Sequence, residues 1–402
     1  MRRERNLTVR YALVQLFIWA EYGFLFSYAN QYLTERLHLT DTAAGLVLGI
    51  ATGLSFLLQP PLTVLAERTD ARRVLLLSAV CSAAFAFAAL LPLGTAATVV
   101  LFALSCVALQ VMPSFANALG MAGIRSGRTI NFGLARGIGS TCFGLAARAA
   151  APLIGWMGRQ AIPLSGALTA LGVAVAALLF PTVERCGTAE AAQAPDRAAV
   201  FFRKNRRFAV LLAGIVLLYI GHNVLSNSMF RIAQSKLPDG AVDAATDLQG
   251  TALLIAALVE LPTMFLFTRM LRWARCDLWL VISGVFMTLR LLLTLVLPDA
   301  LGLCLAQLTQ LSGFALIAVS SVYYVGTVID RRNVVKGQTY LGAANTLGCL
   351  LAYILGGVLI DAIGVSEMLG VCLALSVVGM VLMLLARQRV ERTVGTPLEK
   401  QN

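Results

Sequence analysis

The sequence is poor in charged side chains. Asp, Glu, Lys and Arg make up 13% of its 402 residues, while hydrophobic residues make up 58% and the mean hydropathy is +0.80. A soluble globular protein carries about 25% charged residues. The charged residues are too few to cover the surface of a soluble chain of this size, so lipid must surround most of it. This composition excludes a secreted domain, a DNA-binding protein and an enzyme with a single membrane anchor.

Several motifs are missing as well. None of the eight cysteines belongs to a CxxC pair and most lie in apolar runs, which predicts neither a disulfide nor a metal site. The phosphate-binding patterns GxxxxGKS and GxxxxGKT do not occur, so no cofactor is expected and ATP is not indicated as the energy source. The motifs HExxH and GxSxG and a paired-aspartate motif are absent too, which argues against an enzyme.

What the sequence does have is twelve apolar runs, each long enough to cross a bilayer as a helix of about 20 residues. The runs lie at about 11–33, 42–65, 74–93, 96–119, 133–156, 160–181, 207–230, 248–268, 278–297, 300–325, 339–361 and 366–387. They predict an all-α integral membrane protein with twelve transmembrane helices.

A single long polar segment divides these runs into six and six. A weak repeat relates the halves, because LLQPPLTVLAERTDARR closes the second run and LVELPTMFLFTRMLRWAR closes the eighth. Parallel six-helix repeats are typical of secondary transporters, whose substrate site lies between the repeats. The predicted parts are an N-terminal six-helix bundle (1–181), a cytoplasmic linker (182–206), a C-terminal six-helix bundle (207–388) and a cytoplasmic tail (389–402).

Loop charge predicts the topology. With an even number of helices, both termini and every second loop share one side, and 25 of the 32 lysines and arginines lie there. The opposite side holds Arg36, Arg159, Arg231 and Lys236, and the apolar runs hold Arg136, Arg148 and Arg290. Because loops rich in Lys and Arg stay in the cytoplasm, we expect both termini on the cytoplasmic side of a bacterial inner membrane.

Three motifs resemble the major facilitator superfamily. AERTDARR, after the second run, is similar to the superfamily's loop signature of an acidic residue followed by clustered arginines. NFGLARGIGS and SGVFMTLR are similar to spans 5 and 9 of the branch with lactose-permease-like and phenylpropionate-permease-like proton symporters, whose arginines match Arg136 and Arg290. The resemblance covers nearly the whole chain and implies twelve helices, alternating access and proton coupling.

The sequence departs from lactose permease at the coupling and sugar positions. Where that protein has a His and a Glu on span 10, this chain reads QLTQLSGF, with Gln310 and Gly313 at those places. The position of its sugar-binding Glu on span 8 falls near Leu253 and not at Glu260. The resemblance therefore implies neither lactose specificity nor that proton relay.

Glu21 is the favoured candidate for proton coupling. It lies near the middle of the first run, where an unpaired charge costs several kcal/mol and marks a functional candidate. A carboxyl group there could bind and release a proton as the transporter opens to either side. The other interpretation is a fixed ion pair with Arg136 or Arg148.

The second half offers three further coupling candidates. Glu260 precedes Pro262 in the eighth run and could bind a proton with Arg290 as its partner, or could anchor the bend at the proline. His222 is a candidate because histidine titrates near neutral pH. For this histidine a hydrogen bond between helices is the more common role.

Arg136 is the expected main substrate residue, because its planar guanidinium suits carboxylates or vicinal hydroxyls. Asn223 and Asn227 are four residues apart and share a helix face, where amides suit hydroxyl-rich or nucleoside-like ligands or bond to a neighbouring helix. Further substrate-binding candidates, for which structural roles are equally open, are Tyr28, Asn30, Gln307, Gln310, Tyr323 and Asn345.

Together these features predict a proton-coupled secondary transporter of a small polar organic solute. Sugars or oligosaccharides are favoured, followed by small aromatic acids and nucleosides. A drug:proton antiporter is the alternative within transport, and a transport-inactive sensor or a membrane-embedded enzyme is the alternative of another class. The expected partners are the solute, protons and the lipid bilayer, with no nucleic acid and a monomeric state.

Overall fold

The computed structural model describes residues 2–125, 130–181, 197–238 and 241–388. Almost all of these residues are helical, and no β-strand occurs among them. Of the predicted linker only residues 197–206 are described, and the predicted tail, 389–402, lies outside the described residues.

Twelve helical spans among the described residues are long and apolar enough to cross a membrane. We number them 1 to 12 in chain order. Their ranges are Leu7–Arg36, Asp41–Arg68, Ala71–Ala88, Thr95–Ile124, Leu134–Met157, Ala161–Leu179, Arg206–Asn227, Val242–Phe267, Cys276–Val296, Ala300–Val328, Val334–Ile363 and Val365–Ala386. The twelve predicted spans are therefore confirmed.

Span 1 is not one regular helix. Its α-helix, Arg2–Glu21, passes into a π-helical turn, Tyr22–Phe26. A short α-helix, Ala29–Gln31, and a second π-helical turn, Tyr32–Arg36, complete it. π-helical turns are rare in proteins, and those that occur are frequently found at functional sites. Span 1 is therefore a candidate for part of a functional site.

The other spans of the first half are regular α-helices. They are Asp41–Arg68, Ala71–Ala88, Thr95–Arg125, Phe132–Met157 and Ala161–Leu179. The side chains of Thr40, Asp70 and Asn131 each accept a backbone N–H in the first turn of spans 2, 3 and 5. Each such cap stabilises a helix start by about 1 kcal/mol.

The second half contains one interrupted span. Its α-helices outside span 10 are Ala198–Lys204, Arg206–Asn227, Met229–Ser235, Val242–Met270, Cys276–Val296, Val334–Ile363 and Val365–Ala386, with a 3-10 turn at Arg331–Asn333. In span 10 the α-helix Ala300–Gln307 ends in a 3-10 turn, Leu308–Leu311, and a new α-helix runs from Phe314 to Val328. Broken helices in membrane proteins place backbone and side-chain polar groups inside the protein.

Contacts between residues divide the chain into two units. Unit 1 holds Met1–Gly187, Ser226–Leu258 and Tyr353–Val365, and unit 2 holds Thr188–Leu225, Val259–Ala352 and Ser366–Asn402. Unit 1 thus contains the first six spans together with parts of spans 7, 8 and 11. The division into two six-helix bundles stays a prediction, because these boundaries follow contacts and fall inside spans.

Each unit has its own apolar core. The core of unit 1 includes Tyr11, Ile18, Met112, Phe115 and Phe180, and the core of unit 2 includes Phe208, Leu211, Leu280, Met287 and Tyr324. These side chains come from helices that are far apart in sequence, so each core joins its spans into one body.

A buried carboxylate stabilises the start of span 9 in unit 2. Asp277 is 0% exposed, and Arg275 donates two hydrogen bonds to it, at 3.0 and 3.1 Å. These bonds raise the pKa of Arg275 above its usual value. The guanidinium of Arg387 lies 3.9 Å from the same carboxylate, which links the ends of spans 9 and 12.

Candidate functional site

One face of span 1 carries a polar and aromatic stripe in unit 1. Its members are Tyr11, Gln15, Trp19, Tyr22 and Phe26, at spacings of three or four residues that place them on one side of the helix. The Gln15 amide donates to the Tyr11 hydroxyl at 2.7 Å, and the Trp19 indole N–H donates to the Gln15 side-chain oxygen at 3.0 Å. The Gln15 amide also donates to Asn117 of span 4 at 3.4 Å.

Aromatic rings continue from Trp19 along this stripe. Ring centroids are 5.2 Å apart for Trp19 and Tyr22, 5.2 Å for Tyr22 and Phe26, and 5.9 Å for Phe26 and Tyr353. Tyr353 belongs to span 11 and to unit 1. We call these four residues the aromatic row. The three members on span 1 are only partly buried, so part of each ring is accessible.

Arg136 of span 5 lies beside the first ring of the aromatic row. Its guanidinium carbon is 4.2 Å from the centroid of the Trp19 ring, which is a cation–π contact. Gly139, three residues further on, makes room for the indole, since a Cβ there would come 2.5 Å from Trp19 Cδ1. The predicted substrate residue is thus held by an aromatic side chain that was not among the predicted candidates.

Glu21 lies on the other side of span 1. Two residues correspond to about 200° of rotation around an α-helix, so Glu21 points away from the side of Trp19. It belongs to a fully buried stripe whose other members are Val14, Ile18 and Leu25, each 0% exposed. The predicted coupling residue therefore replaces an apolar side chain in the core of unit 1.

The carboxyl group of Glu21 has few partners. Its Oε1 accepts a hydrogen bond from the Ser82 hydroxyl of span 3 at 2.6 Å, and its Oε2 has no hydrogen-bond partner. The Ser82 hydroxyl lies 3.2 Å from the Ser105 hydroxyl of span 4. In the part of the chain that the structure describes, no ion pair forms with Arg136 or Arg148.

The far end of span 1 is joined to other spans of unit 1 by buried hydrogen bonds. The Tyr28 hydroxyl donates to the Ala147 carbonyl of span 5 at 2.7 Å, and the Gln31 amide donates to the Thr246 hydroxyl of span 8 at 2.6 Å. Tyr28 is 0% exposed. This predicted ligand therefore has a packing role in the structure.

Arg148 pairs with a residue of span 8 in unit 1. Its guanidinium lies 2.8 Å from the Asp247 carboxylate. In the turn that follows span 5, Arg159 lies 3.7 Å from Asp243 of span 8. One ion pair thus connects span 5 to span 8, and a second connects the turn after span 5 to span 8. Asp247 supplies the partner that the sequence left open for Arg148.

Arg231 joins three segments of unit 1. Its Nε donates to both carboxylate oxygens of Asp41, at 3.1 and 3.0 Å, and its Nη1 donates to Glu35 at 3.0 Å. Asp41 begins span 2 and is only 6% exposed. We call Arg231, Glu35 and Asp41 the distal latch, since they lie where span 1 ends and span 2 begins.

Unit 2 contains a buried cation, Arg290 of span 9, which is 2% exposed. Its Nε and Nη2 donate to the Gln307 side-chain oxygen at 3.1 and 2.5 Å. Its Nη1 lies 3.1 Å from Nδ1 of His222, and because arginine only donates, this nitrogen accepts. The His222 ring stacks on Phe314 at 4.6 Å between centroids. Three predicted candidates therefore meet here.

Glu260 lies at the break in span 10. The Gln310 amide donates to Glu260 Oε1 at 3.2 Å, and Gln310 belongs to the 3-10 turn. The charge of Glu260 also acts on Arg290. The structure thus brings five predicted candidates from spans 7, 8, 9 and 10 together in unit 2. Because span 10 is interrupted, Gln307 bonds to Arg290 and Gln310 bonds to Glu260. We call this group the Arg290 cluster; its members are His222, Glu260, Arg290, Gln307 and Gln310.

The two asparagines of the seventh run have different surroundings. The Asn223 amide donates to the Tyr219 carbonyl, one turn earlier in the same helix, at 2.8 Å. The amide nitrogen of Asn227 is buried without a hydrogen-bond partner. Asn223 therefore satisfies its amide within its own helix, and Asn227 does not.

The remaining predicted ligands also differ in their surroundings. The side-chain oxygen of Asn30 is buried without a hydrogen-bond partner. The Tyr323 ring packs against the Phe267 ring at 5.3 Å between centroids, and Asn345 is exposed. Tyr323 is thus a packing residue of unit 2.

Several residues of these sites were not predicted from the sequence. They are Gln15, Trp19, Ser82, Asp247 and Phe314. The spacing of the stripe on span 1 is a signal that could have identified the first two. No signal in the sequence marks Ser82, Asp247 or Phe314, because a single serine, a single phenylalanine or an aspartate near a helix end does not stand out in a membrane protein.

Comparison with known proteins assigns the family. The sequence matches the MFS_1 like family over residues 8–369. The chain belongs to the MFS_1 like family. The predicted membership of the major facilitator superfamily is thereby confirmed. A sequence comparison with curated proteins gives no match.

Solved transporter structures share the fold of this MFS_1 like protein. An aspartate-to-alanine variant of the nucleoside transporter NupG is 17% identical, with 94% of this chain and 98% of that chain covered and a TM-score of 0.75. A glutamate-to-glutamine variant of the peptide transporter POT is 13% identical, with 94% of each chain covered and a TM-score of 0.74. A bacterial homolog of the human lysosomal transporter Spinster is 13% identical, with 95% and 96% covered and a TM-score of 0.68. The predicted all-α fold is confirmed.

Proposed function

We propose that this MFS_1 like protein is a proton-coupled secondary transporter that carries a small organic solute by alternating access. The observation that carries the proposal is the Arg290 cluster, in which a guanidinium that is 2% exposed lies beside His222 and Gln307. The carboxylate of Glu260 acts on the same cation from the neighbouring span. Ionisable groups inside a membrane are costly, and in transporters they mark proton and substrate pathways.

Glu260 is the proposed coupling residue. It is partly exposed, and its charge acts on Arg290, so a proton on Glu260 would remove an attraction that its release restores. A proton-coupled transport cycle needs two protonation states that interact differently with the rest of the protein, and the attraction between Glu260 and Arg290 provides this difference. Glu21, favoured from the sequence, has a weaker basis because it is 0% exposed in the core of unit 1.

Solute binding is proposed at Arg136 and the aromatic row of unit 1. The cation, the partly exposed rings and the accessible face of span 1 form a surface that combines charge with apolar area. Ligand sites are mostly apolar with a small number of placed polar groups.

We place the protein in a bacterial inner membrane with both termini in the cytoplasm, as the loop charges predict. A cysteine introduced at Ala194 of the predicted linker, in a cysteine-free background, should then react with a membrane-impermeant maleimide only from the cytoplasmic side. Intact cells and inverted vesicles provide the two sides. Reaction of this cysteine in intact cells would contradict the topology.

The direct test of transport is solute-dependent proton movement in proteoliposomes that contain a pH-sensitive dye. Lactose, uridine and phenylacetate are added one at a time, with potassium and valinomycin holding the membrane potential at zero. A symporter acidifies the interior when its solute enters, whereas an antiporter makes the interior alkaline. Protein-free liposomes correct for passive entry of undissociated phenylacetic acid.

The matched variant for this assay is Glu260→Gln, which keeps the volume of the side chain and removes its titration. It should exchange labelled solute across the membrane without moving protons. Solute flux that is unchanged by a proton ionophore would contradict proton coupling. A panel of solutes without any protein-dependent flux would contradict transport itself.

A further inference from the structure

A short helix that lies outside the twelve spans precedes span 7 in unit 2. It runs from Ala198 to Lys204 and is separated from span 7 by Asn205, whose backbone is not helical at φ −113° and ψ 52°. The ring centroids of Phe201 and Phe208 are 5.9 Å apart, whereas seven residues of a continuous helix rise about 10 Å. The chain therefore bends at Asn205. We call Ala198–Lys204 the linker helix.

Aromatic packing fixes the linker helix on unit 2. Phe201 is 0% exposed and belongs to the apolar core of this unit. Its ring centroid lies 5.3 Å from that of Tyr340 in span 11, and the Phe202 ring lies 4.7 Å from the same tyrosine. The backbone N–H and the side-chain amide of Asn205 both donate to the Phe201 carbonyl at 3.0 Å, which closes the last turn. The side chains that follow Phe202 therefore have a defined place on the surface.

These side chains form a cluster of cations. Arg203, Lys204, Arg206 and Arg207 place four positive charges within five residues, and no Asp or Glu occurs between residues 197 and 238. All four side chains are exposed. The three arginines form no ion pair within the described part of the chain. The charges of these arginines are therefore available to a partner outside the protein.

The start of span 7 adds to this positive charge. The span begins with Arg206 and Arg207, and its first turn contains no acidic residue. The backbone of a helix carries a partial positive charge at this end, where acidic side chains are stabilising and cations are not. An anion bound beside the two arginines would reduce the repulsion that the protein itself leaves uncompensated.

Apolar atoms lie beside the cations. Val200 is 41% exposed, and the Phe202 ring is only partly buried. A soluble anion would use the arginines alone, whereas a phospholipid offers a phosphate together with apolar chains. The proposed topology puts this surface at the cytoplasmic leaflet, where basic clusters next to a membrane-spanning helix attract anionic lipids.

We propose that the linker helix and the start of span 7 bind the headgroup of an anionic phospholipid of the cytoplasmic leaflet. The lipid phosphate binds Arg203, Arg206 and Arg207, and the apolar part of the lipid contacts Val200 and Phe202. The bound lipid fastens the linker helix to the membrane surface and stabilises unit 2. This site is separate from the proposed solute and coupling residues.

The test is the thermal stability of the purified full-length protein, delipidated in a neutral detergent. The probes are dioleoylphosphatidylglycerol, dioleoylphosphatidylcholine at the same mole fraction in the micelle, and glycerol 3-phosphate at the same total concentration. They supply an anionic headgroup with chains, a zwitterionic headgroup with the same chains, and the charge without chains. A ligand that binds the folded state raises the midpoint of unfolding. We expect phosphatidylglycerol to bind at least about tenfold more tightly than either of the others.

Variants assign the effect to the arginines. Arg203→Gln, Arg206→Gln and Arg207→Gln together should abolish the preference for phosphatidylglycerol over phosphatidylcholine. The same three positions changed to Lys keep the charge, so this variant should retain the preference within about threefold. Loss of the preference in the lysine variant would overturn an assignment to the positive charges.

A control variant removes the same number of charges at the junction of spans 2 and 3. It carries Arg68→Gln, Arg72→Gln and Arg73→Gln, where Glu67 and Asp70 in the same stretch already offset part of the positive charge. The control should keep the preference for phosphatidylglycerol. An equal loss in both glutamine variants would assign the effect to the total charge of the protein and overturn the site.

The comparison of probes in the unaltered protein does not depend on whether a variant folds. Equal stabilisation by phosphatidylglycerol and phosphatidylcholine would overturn the proposal. Equal stabilisation by phosphatidylglycerol and glycerol 3-phosphate would overturn it too, because the ligand would then be a soluble anion. If the preference depends on the three arginines but no solute is transported, this inference stands and the proposed transport function does not.

Discussion

Two glutamates that have similar neighbours in the sequence have different surroundings in the folded protein. Glu21 and Glu260 both lie inside apolar runs. Glu21 is enclosed among apolar side chains and is joined to Ser82, whereas Glu260 is partly exposed, is joined to Gln310 and acts on Arg290. The carboxyl group of Glu21 therefore belongs to the core, whereas that of Glu260 lies near a buried cation.

This contrast predicts different effects of the same substitution. Glu21→Gln should keep the hydrogen bond with Ser82 and leave solute accumulation within about twofold of the unaltered protein, because an uncharged amide suits this enclosed position. Glu260→Gln should lower accumulation at least about tenfold, because the group can no longer change its charge beside Arg290. Uptake into proteoliposomes under an imposed pH gradient measures both.

Each variant is the control for the other, since both exchange Glu for Gln inside a span. A loss of accumulation in the Glu21 variant together with normal accumulation in the Glu260 variant would reverse the assignment. Normal accumulation in both would move the coupling role to His222 or make the protein a uniporter.

At the scale of helices, close approach between spans decides which side chains meet. Gly139 allows span 5 to approach span 1 so that the indole of Trp19 fits between them. Gly23 has the same role further along, because a Cβ there would come 2.6 Å from the Phe143 carbonyl oxygen of span 5. Small residues at such contacts are typical of helix packing in membranes. The contact between spans 1 and 5 thus positions Arg136 on the aromatic row.

Gly139→Ala should displace the indole and weaken its contact with Arg136. The added methyl group would lie 2.5 Å from the ring, and overpacking of this kind costs roughly 1–3 kcal/mol. We expect a lower midpoint of thermal unfolding of the purified protein. Gly155→Ala on the same helix is the matched control, because a Cβ there meets nothing within 4 Å and alanine favours the helix.

An unchanged unfolding midpoint in the Gly139 variant would show that Trp19 is free to move, which contradicts the packing of its indole against Gly139. A destabilised Gly155 variant would show instead that span 5 tolerates no added methyl group, whatever its surroundings.

At the scale of the whole molecule, alternating access requires that contacts at one end of the spans break and form again. The distal latch joins the end of span 1 and the short helix Met229–Ser235 to the start of span 2 within unit 1. Its carboxylates, Glu35 and Asp41, share a single guanidinium at 3.0 Å. Removal of one partner from such a group is costly, because the others keep their charge in a partly buried place.

Arg231→Gln should therefore open this end of unit 1 more often. A reporter cysteine at Asn30, in a cysteine-free background, should react several-fold faster with a membrane-impermeant maleimide added to intact cells. Arg36→Gln is the matched control, since Arg36 lies on the same side and forms no ion pair in the described ranges. Equal labelling rates in the Arg231 variant and the control would contradict a latch.

Residue type predicted many members of the candidate site, but it did not predict which of them lie together in the folded protein. The cost of a charge in lipid identified Glu260 and Arg290, and the resemblance to a known family identified Arg136. Gln307 and Gln310 are three residues apart, yet they bond to Arg290 and Glu260 respectively because span 10 is interrupted between them. No pattern in the sequence indicated this interruption.

The sequence by itself determined the solvent of the chain, the number of spans and the expected side of each loop. These properties depend on local composition. About 20 apolar residues suffice for a span, and the lysines and arginines of a loop are counted within that loop. Only the tertiary structure decided that Glu21 faces the core, that Arg136 rests on Trp19 and that Arg148 pairs with Asp247. The physical reason is that rotation of a helix about its axis and its distance from its neighbours depend on packing between residues far apart in sequence.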